Sequence, residues 1–433
     1  MAFAPLSRID FKGCTQPTKN SEGDPVVVFS PELQHSSDKR YLACPCTDGF
    51  VRFYDRSTFS PLVSLSAYGP DNVNPVSGII GACFAQNQPH LFFTQTPNND
   101  RVRVWDLRTK SVVMDLPNRH HVNAIDCNTS DTCLAVGTTE TVNLWDLRGG
   151  KIAVVWDENH SDEITEVKFS KISPNLLLTS GEDGLVCVCD SSRTDLDGGV
   201  IGIFNVESSV TSCCFMGSND ENVAVMTFTN SFSVWNFPKD DETQEGDGLL
   251  YVLKDARPEI SKIIPGSQYT SQVISSSVSP AAASSSATPS ISLTSSSTPS
   301  DGGMDVEEAS SSSVASFPSA SLLSSSSSSS SFPSTTSTAF GAPYTSTEGV
   351  ILSDVDYLIS CHYNPSTRHV VLLSGDHNGK VYATTVERDG LTHLFTLNGG
   401  HSSDVRAIDW LPDEPQMLMT SGEDGTVVKW LFR

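Results

Sequence analysis

Residues 417–432 have the sequence MLMTSGEDGTVVKWLF, and the pattern in this stretch decides the fold. An apolar run leads into the tight-turn residues Asp424-Gly425, and a second strand-like run contains an aromatic residue near its end. Apolar runs joined by Asp-Gly or Asn-Gly are typical of antiparallel strands in hairpins. The pattern occurs six more times, as YLACPCTDGFVRFYD at 41–55, HLFFTQTPNNDRVRVWD at 90–106, CLAVGTTETVNLWD at 133–146, LLLTSGEDGLVCVCD at 176–190, VAVMTFTNSFSVWN at 223–236 and VVLLSGDHNGKVYATTVE at 370–387.

The spacing between the copies identifies the kind of repeat. Five of the six spacings, measured between the ends of the copies, are 40 to 51 residues, and the sixth is 151 residues. A period of about 40–45 residues is typical of the four-stranded blade of a β-propeller. An apolar run precedes each copy and another follows most copies, which completes four strands per repeat. The sequence therefore predicts an all-β protein with seven blades.

The two ends of the chain are predicted to complete the ring. The sequence ends at Arg433, directly after the third strand of the seventh copy, so this blade lacks a fourth strand. Segment 6–12 precedes the first copy and can supply that strand, which leaves no exposed sheet edge at the seam. The innermost strand of the first blade is predicted at 26–30.

The long spacing between the fifth and sixth copies comes from a low-complexity segment. Residues 265–350 contain 33 serines in 86 residues, and no Lys or Arg occurs between Lys262 and Arg368. So little apolar surface cannot offset the entropy lost on ordering, so we predict that this segment is disordered. The predicted organisation is blades one to five with the closing strand at 1–264, a disordered serine-rich insertion at 265–350, and blades six and seven at 351–433.

The charge of the chain restricts its partners. The sequence has 27 basic and 51 acidic residues, a formal net charge of −24. Five of the acidic residues lie in the serine-rich segment, so the rest keeps 46 acidic and all 27 basic residues, a net charge of −19. Direct binding to nucleic acid or to an anionic membrane needs clustered Lys and Arg, so both are disfavoured. The sequence shows no secretory signal and no apolar run of roughly 18 residues, so we expect an intracellular protein, in the cytoplasm, the nucleus or both.

The strand ends resemble those of WD-repeat β-propellers. The dipeptide of that family is matched twice and varied twice, as Trp105-Asp106, Trp145-Asp146, Trp235-Asn236 and Tyr54-Asp55. The resemblance implies a scaffold without cofactor or catalytic residues, which presents its rims, channel mouth and blade edges to other proteins.

The resemblance also implies a structural tetrad, in which a loop histidine bridges a turn aspartate and a strand hydroxyl and an indole N–H joins them. The seventh repeat has all four residues, His401, Thr420, Asp424 and Trp430. The fourth repeat has a partial set, His160, Thr179 and Asp183, with Cys189 at the tryptophan position. A His–Asp pair beside Thr420 or Ser421 is also the composition of a hydrolase triad. Its recurrence in a second repeat favours the structural role.

Two repeats end in WDLR, and this ending is a candidate binding motif. Some WD-repeat proteins present a WDxR ending to the adaptor of cullin-4 ubiquitin ligases. The candidate adaptor-binding residues are Trp105, Asp106, Arg108, Trp145, Asp146 and Arg148. The longer form of the motif has an acid in the preceding turn, where this chain has Asn99 and Thr139, so both copies are partial. The alternative is that the two arginines cap strand ends on the rim.

Three further groups of residues have compositions found in binding or modification sites. The eleven cysteines include the pairs Cys44/Cys46 and Cys187/Cys189, which lie two apart on strands without further ligands at convergent spacing, so buried thiols are favoured over a metal site. The acidic stretch 240–247 lacks the spacing of a calcium loop. The serine-rich segment has candidate phosphorylation sites before prolines, at Ser279, Thr288 and Thr298, and a passive insertion is the alternative.

The sequence thus predicts a non-enzymatic scaffold for protein–protein interaction. Its acidity suggests basic protein partners, such as those of nuclear or ribosome-assembly particles. The alternative function is that of a substrate receptor of a cullin-4 ubiquitin ligase.

Overall fold

A computed structural model describes residues 3–10, 33–46, 49–66, 81–96, 100–193, 199–237, 248–265, 354–365, 367–387, 390–410, 414 and 416–432. These residues form 28 strands and one helix, arranged in seven antiparallel sheets of four strands. The predicted seven-bladed, all-β propeller is therefore confirmed. No helix among these residues is long and apolar enough to cross a membrane.

The N-terminal strand is β1 (Phe3–Asp10), which belongs to the last blade. The first blade contains β2 (Gln34–His35), β3 (Tyr41–Pro45), β4 (Phe50–Asp55) and β5 (Pro61–Ser66). The second contains β6 (Ala82–Phe84), β7 (Leu91–Gln95), β8 (Arg101–Asp106) and β9 (Ser111–Pro117). The third contains β10 (Val122–Cys127), β11 (Cys133–Thr138), β12 (Val142–Asp146) and β13 (Lys151–Trp156). The fourth contains β14 (Ile164–Phe169), β15 (Leu176–Gly181), β16 (Leu185–Asp190) and β17 (Val200–Asn205).

The fifth blade contains β18 (Val210–Met216), β19 (Asn222–Thr227), β20 (Phe232–Asn236) and β21 (Leu249–Leu253), and the helix α1 (Ala256–Ile263) follows it. The sixth contains β22 (Tyr357–Asn364), β23 (His369–Gly375), β24 (Val381–Glu387) and β25 (Gly390–Leu397). The seventh contains β26 (Val405–Trp410), β27 (Met417–Gly422), β28 (Thr426–Phe432) and β1. The predicted insertion thus separates the fifth from the sixth blade in chain order, or the sixth from the seventh if the blade with β1 is counted first.

The apolar core is divided among the junctions between neighbouring blades. Seven clusters of buried side chains are found among the described residues, one for each junction around the ring. Because both faces of a blade are covered, its second strand is largely or wholly buried, as in β15, where every residue is buried. Outer strands lie at the circumference and expose much of their surface, as in β9. Burial therefore depends on the presence of both neighbours.

The strand that closes the ring pairs residues from the two ends of the chain. β1 pairs antiparallel with β28, from Phe3 opposite Phe432 to Asp10 opposite Thr426, with one irregularity between Pro5 and Ser7. Proline is tolerated here because β1 is the outer strand of its blade. The predicted closing strand is confirmed, although it begins and ends earlier than 6–12. The innermost strand of the first blade is β2, whereas the predicted 26–30 lies outside the described residues.

The described residues on either side of the insertion meet at α1. Asp255 caps the N-terminus of this helix, since its side chain accepts the backbone N–H of Arg257. Ile260 is fully buried and packs in the core between the fifth and sixth blades. The Ser261 hydroxyl accepts the backbone N–H of Asp354 at 3.1 Å, which brings the returning chain back to the point where it left. The predicted disorder and the acidic stretch 240–247 fall outside the described residues.

The closing strand yields a first testable prediction. Deletion of residues 1–10 removes the seven paired positions between β1 and β28 and exposes β28 as an edge. At a net of about 1 kcal/mol per lost hydrogen bond, we expect the midpoint of thermal unfolding to fall by roughly 10 °C or more. We also expect self-association through the free edge. Thermal unfolding and size-exclusion chromatography measure both effects, with deletion of residues 1–2 as the control. An unchanged midpoint would contradict this view of the seam.

Candidate functional site

The seventh blade holds its four tetrad residues in one hydrogen-bonded chain. His401 Nδ1 lies 3.2 Å from Asp424 Oδ1, and His401 Nε2 lies 2.6 Å from the Thr420 hydroxyl. The indole N–H of Trp430 donates to the same hydroxyl at 2.8 Å. Because a carboxylate only accepts, these partners assign the ring proton to Nδ1 and leave Nε2 to accept from Thr420. The network joins the loop before β26 to β27 and β28.

The tetrad network is buried. Burial disfavours the ionised form of Asp424, but hydrogen bonds from His401 and Thr426 outweigh it and hold the pKa of this carboxyl well below its ordinary value. Thr420 and Ser421, the two hydroxyls of the triad hypothesis, are fully buried, and His401 is 6% exposed. A nucleophile in this position does not meet a substrate. The geometry is that of a satisfied buried network, which rigidifies the blade.

The fourth blade repeats the arrangement with three of its parts. His160 Nδ1 lies 3.2 Å from both carboxylate oxygens of Asp183, and His160 Nε2 lies 2.9 Å from the Thr179 hydroxyl. Burial opposes ionisation of Asp183, and the hydrogen bond from His160 nevertheless lowers the pKa of its carboxyl. Cys189 lies where the seventh blade has Trp430, and both are fully buried.

The residue before the histidine explains how the fourth blade replaces a tryptophan with a cysteine. In the seventh blade Gly400 lies against the Trp430 indole, and a Cβ at this position would be 2.3 Å from the ring. In the fourth blade the corresponding residue is Asn159, whose Nδ2 lies 3.5 Å from Cys189 Sγ. In the seventh blade the strand residue is the larger of the two, Trp430 beside Gly400. In the fourth blade the loop residue is the larger, Asn159 beside Cys189.

Three other blades retain a partner for the indole N–H, and in the fifth blade Trp235 donates to the Ser233 hydroxyl at 2.8 Å. Trp105 donates to the Thr94 hydroxyl at 2.9 Å, as Trp430 does to Thr420. Trp145 donates to Asn118 Oδ1 at 3.3 Å. None of these three partners was identified from sequence. Strand register offers the signal for Thr94, since it lies two residues beyond the residue that pairs with the tryptophan, as Thr420 does.

The two WDLR endings lie on the same face of the sheet ring. In each blade the first and third strands run in one direction and the second and fourth in the other, so the loops form two sets. We call the face with the loops after first and third strands the lower face, and the opposite face, with the His401 and Asp424 loops, the upper face. Arg108 and Arg148 follow third strands and are exposed on the lower face. Their tryptophans are buried.

The two arginines differ in their partners. The Arg108 guanidinium makes a two-pronged ion pair with Asp106, with Nη2 2.7 Å from Oδ2 and Nε 3.1 Å from Oδ1. Hydrogen bonds from Arg108 lower the pKa of Asp106 to about 2. Both aspartates accept the backbone N–H of their arginine, Asp106 at 2.9 Å and Asp146 at 3.0 Å, so the difference lies in the guanidinium groups. Of the turn positions compared for the longer motif, Thr139 donates its backbone N–H to His121, and Asn99 lies outside the described residues.

The remaining candidate groups do not come together as a site. Cys44, Cys46, Cys187 and Cys189 are buried, and burial raises the pKa of each of the three for which a shift is resolved, Cys44, Cys187 and Cys189. No group of three or more possible metal ligands occurs within the described residues. The candidate phosphorylation sites Ser279, Thr288 and Thr298 lie outside them.

Inner strands of the first five blades surround an opening of about 260 Å³. Two carboxylates in its lining hold neighbouring blades together. Asp126 Oδ2 accepts the backbone N–H of Phe169 at 2.7 Å, and Glu166 accepts that of Cys213 at 2.6 Å, so each carboxylate bridges to the next blade. Lys168 donates to Glu166 at 2.7 Å. Asp126 and Glu166 therefore have a structural role in this lining.

Comparison with known proteins agrees with the fold. A family model described as "WD domain, G-beta repeat" matches residues 391–430, which include His401 and the strands that hold Thr420 and Trp430. A chain of the "Crystal Structure of Mitotic Checkpoint Complex" superposes with a TM-score of 0.59 at 11% sequence identity, covering 100% of this chain and 93% of that one. The protein is therefore a seven-bladed β-propeller with a WD repeat, a class whose members are generally non-catalytic interaction scaffolds.

A narrower similarity is to WD repeat-containing protein 89. The chain is 25% identical to the WD repeat-containing protein 89 homolog of Dictyostelium discoideum over 233 residues, 53% of this chain and 61% of the relative. It is 29% identical to the WD repeat-containing protein GTS1 of Arabidopsis thaliana over 153 residues, 34% of this chain and 39% of that protein. The matches thus span about two fifths to three fifths of these relatives. The sequence of residues 160–186, 356–363 and 390–410 resembles WD repeat-containing protein 89, and the match to the Dictyostelium homolog confirms that resemblance.

The exchange between Gly400/Trp430 and Asn159/Cys189 yields a second prediction. Cys189→Trp alone places an indole where Asn159 already lies, so we expect a loss of about 1–3 kcal/mol in the free energy of unfolding. Asn159→Gly in the same chain recreates the seventh-blade arrangement and should recover most of that loss, because the indole N–H can then reach Thr179. Denaturant unfolding of both single variants and the double variant measures the coupling. Strictly additive effects would contradict it.

Proposed function

We propose that the protein is a non-enzymatic scaffold whose acidic propeller recognises basic protein partners, in a nuclear or ribosome-assembly setting. The observation that carries the proposal is the net charge of −19 that remains on the chain outside its serine-rich segment. Excess charge of one sign steers partners of the opposite sign and gives specificity more than raw affinity.

Exposed carboxylates on the upper face offer a place for such recognition. Asp157, Glu158 and Glu163 lie in the loop between the third and fourth blades, and all three are exposed. Glu182 is exposed in the adjoining turn, and its backbone N–H donates to the Glu163 carbonyl at 2.9 Å. These side chains surround the loop that His160 and Asp183 hold in place, so the buried network supports a charged surface above it.

Affinity purification of the full chain from its native cells tests the proposal. We expect proteins captured at about 50 mM salt to be enriched in basic proteins, and most of this capture to be lost at about 300 mM. Glu163→Gln with Glu182→Gln should weaken capture of the principal basic partner by roughly fivefold or more, at about 0.5–1 kcal/mol per exposed ion pair. Asp38→Asn with Asp115→Asn removes the same charge away from these loops, at two other exposed carboxylates, and serves as the control. Capture that is indifferent to salt would overturn the proposal.

A second candidate function is that of a substrate receptor for a cullin-4 ubiquitin ligase. The observation that favours it is the placement of Arg108 and Arg148 in neighbouring blades, exposed on one face. This resemblance-based hypothesis assigns the contact with the ligase adaptor to the two guanidinium groups, while Trp105 and Trp145 anchor the strands below them.

Co-purification with the adaptor tests the second candidate. Arg108→Ala with Arg148→Ala should abolish co-purification, because two charge-assisted contacts are lost. Arg193→Ala, an exposed arginine of the fourth blade, should leave it unchanged. Absence of the adaptor from wild-type preparations would remove this candidate and leave the first proposal unaffected.

A further inference from the structure

A groove opens on the lower face between the second and third blades. Its volume is about 290 Å³, roughly twice the ~150 Å³ cavity that holds one benzene molecule. Leu91, Phe93 and Met114 of the second blade and Leu147 of the third line its floor. The space thus accommodates one or two large aliphatic side chains.

The groove is a place where the core between two blades reaches the surface. Leu91, Met114 and Leu147 are only partly buried, yet all three pack against the apolar cluster of this junction. Val113 stands at the edge of the groove and is 53% exposed. An apolar side chain inserted here would therefore extend an existing core rather than cover an isolated patch.

The turn beside the groove keeps it open. In the third blade this turn is Arg148-Gly149-Gly150, and in the second blade the corresponding turn ends in Lys110. Both final residues have positive φ, +60° for Gly150 and +55° for Lys110, and both donate their N–H to the aspartate that ends the preceding strand. A Cβ at Gly150 would lie 4.0 Å from Met114 Sδ. Any other residue at position 150 would place a side chain next to Met114. Glycine therefore leaves Met114 accessible from the groove.

The free charge at the groove is positive. Arg148 lines the groove, and within the described part of the chain its guanidinium has no hydrogen bond or ion pair, in contrast to Arg108. The other charged residue of the lining is Asp131, whose carboxylate accepts the backbone N–H groups of Gln86 and Asn87 at 2.6 and 2.8 Å. Asp131 is thus committed to joining the two blades, and Arg148 is left to pair with a ligand.

We propose that this groove binds a short peptide segment of a partner protein, in which a large aliphatic side chain lies within a few residues of Asp or Glu. The aliphatic group fills the space above Met114, and the carboxylate pairs with Arg148. A guanidinium favours a carboxylate over neutral acceptors because it can donate two parallel hydrogen bonds. The groove extends the scaffold function by a surface on the lower face, and it does not depend on whether the upper face binds basic partners.

Selection from a library of random twelve-residue peptides displayed on phage, with the folded full chain as the target, tests the specificity. We expect enriched peptides to combine Leu, Ile or Met with Asp or Glu two to four residues away. Fluorescence polarisation of one selected peptide, labelled with fluorescein, then gives its dissociation constant. Enrichment of peptides that lack this combination, or no enrichment, overturns the proposal.

Variants locate the binding site. Arg148→Ala should weaken the labelled peptide at least tenfold, as expected for loss of a charge-assisted pair, and Val113→Asp should weaken it similarly. Arg108→Ala and Ile203→Asp are the matched controls, since they change the equivalent arginine and an equally exposed outer-strand residue. Arg148→Glu should regain affinity for a peptide in which the acidic residue is replaced by Lys.

The remaining outcomes are also decisive. If neither Arg148→Ala nor Val113→Asp weakens binding, the peptide binds elsewhere, and the proposal that the groove is the binding site is overturned. An equal effect of Arg108→Ala assigns binding to the WDLR rim as a whole and likewise overturns it. Because all four altered side chains are exposed, unchanged thermal unfolding is expected and identifies any variant that is misfolded. Salt-insensitive capture of cellular partners would count against the acidic scaffold but leave this result standing.

Discussion

Closure of the ring by β1 and β28 is the constraint on which the rest of the structure depends. Each blade buries apolar side chains on both faces, and a row of such sheets has two unburied ends unless the first meets the last. The seam is reinforced by polar contacts. Asp409 of β26 lies 2.8 Å from His35 of β2, and the buried Lys429 of β28 donates to the Ser57 carbonyl at 2.6 Å. Contacts between the two ends of the chain therefore close the ring, so that every blade has a neighbour on both faces.

Two kinds of polar contact give this ring its rigidity. Within a blade, the His401 and His160 networks fix an upper-face loop against the strands beneath it. Between blades, side chains accept backbone N–H groups of the neighbour, as Asp126 does from Phe169 and Tyr357 from Val405. Each buried acceptor replaces the water that its partner would otherwise require. Loops on such a frame are held firmly enough to serve as recognition surfaces.

The two faces differ in what they offer to other proteins. The upper face carries exposed carboxylates in the loops around His160, such as Glu163 and Glu182. The lower face carries Arg108 and Arg148 and, between the second and third blades, an apolar groove. A basic partner and an acidic, aliphatic peptide would therefore meet different faces. A scaffold with this division can hold two partners without competition between them.

Local patterns in the sequence determined the repeats, the number of blades and the closing strand, because hairpin spacing and turn residues are properties of neighbouring residues. The sequence also pointed to His401, Thr420, Asp424 and Trp430, and these side chains are hydrogen-bonded to one another. Strand pairing in space decided other features. The innermost strand of the first blade is only two residues long and carries no periodic signal, so β2 could not be located from sequence.

Arg108 and Arg148 lie in identical WDLR motifs, and only the tertiary structure shows that their surroundings differ. Asp106 binds one guanidinium, while the other stands beside a groove built from two blades. The compensation of Cys189 by Asn159 is likewise a contact across 30 residues. A repeat motif specifies a blade, but ion pairs, grooves and packing exchanges arise between residues that sequence spacing does not bring together. The local pattern therefore determined the architecture, and packing between blades decided the surfaces available for binding.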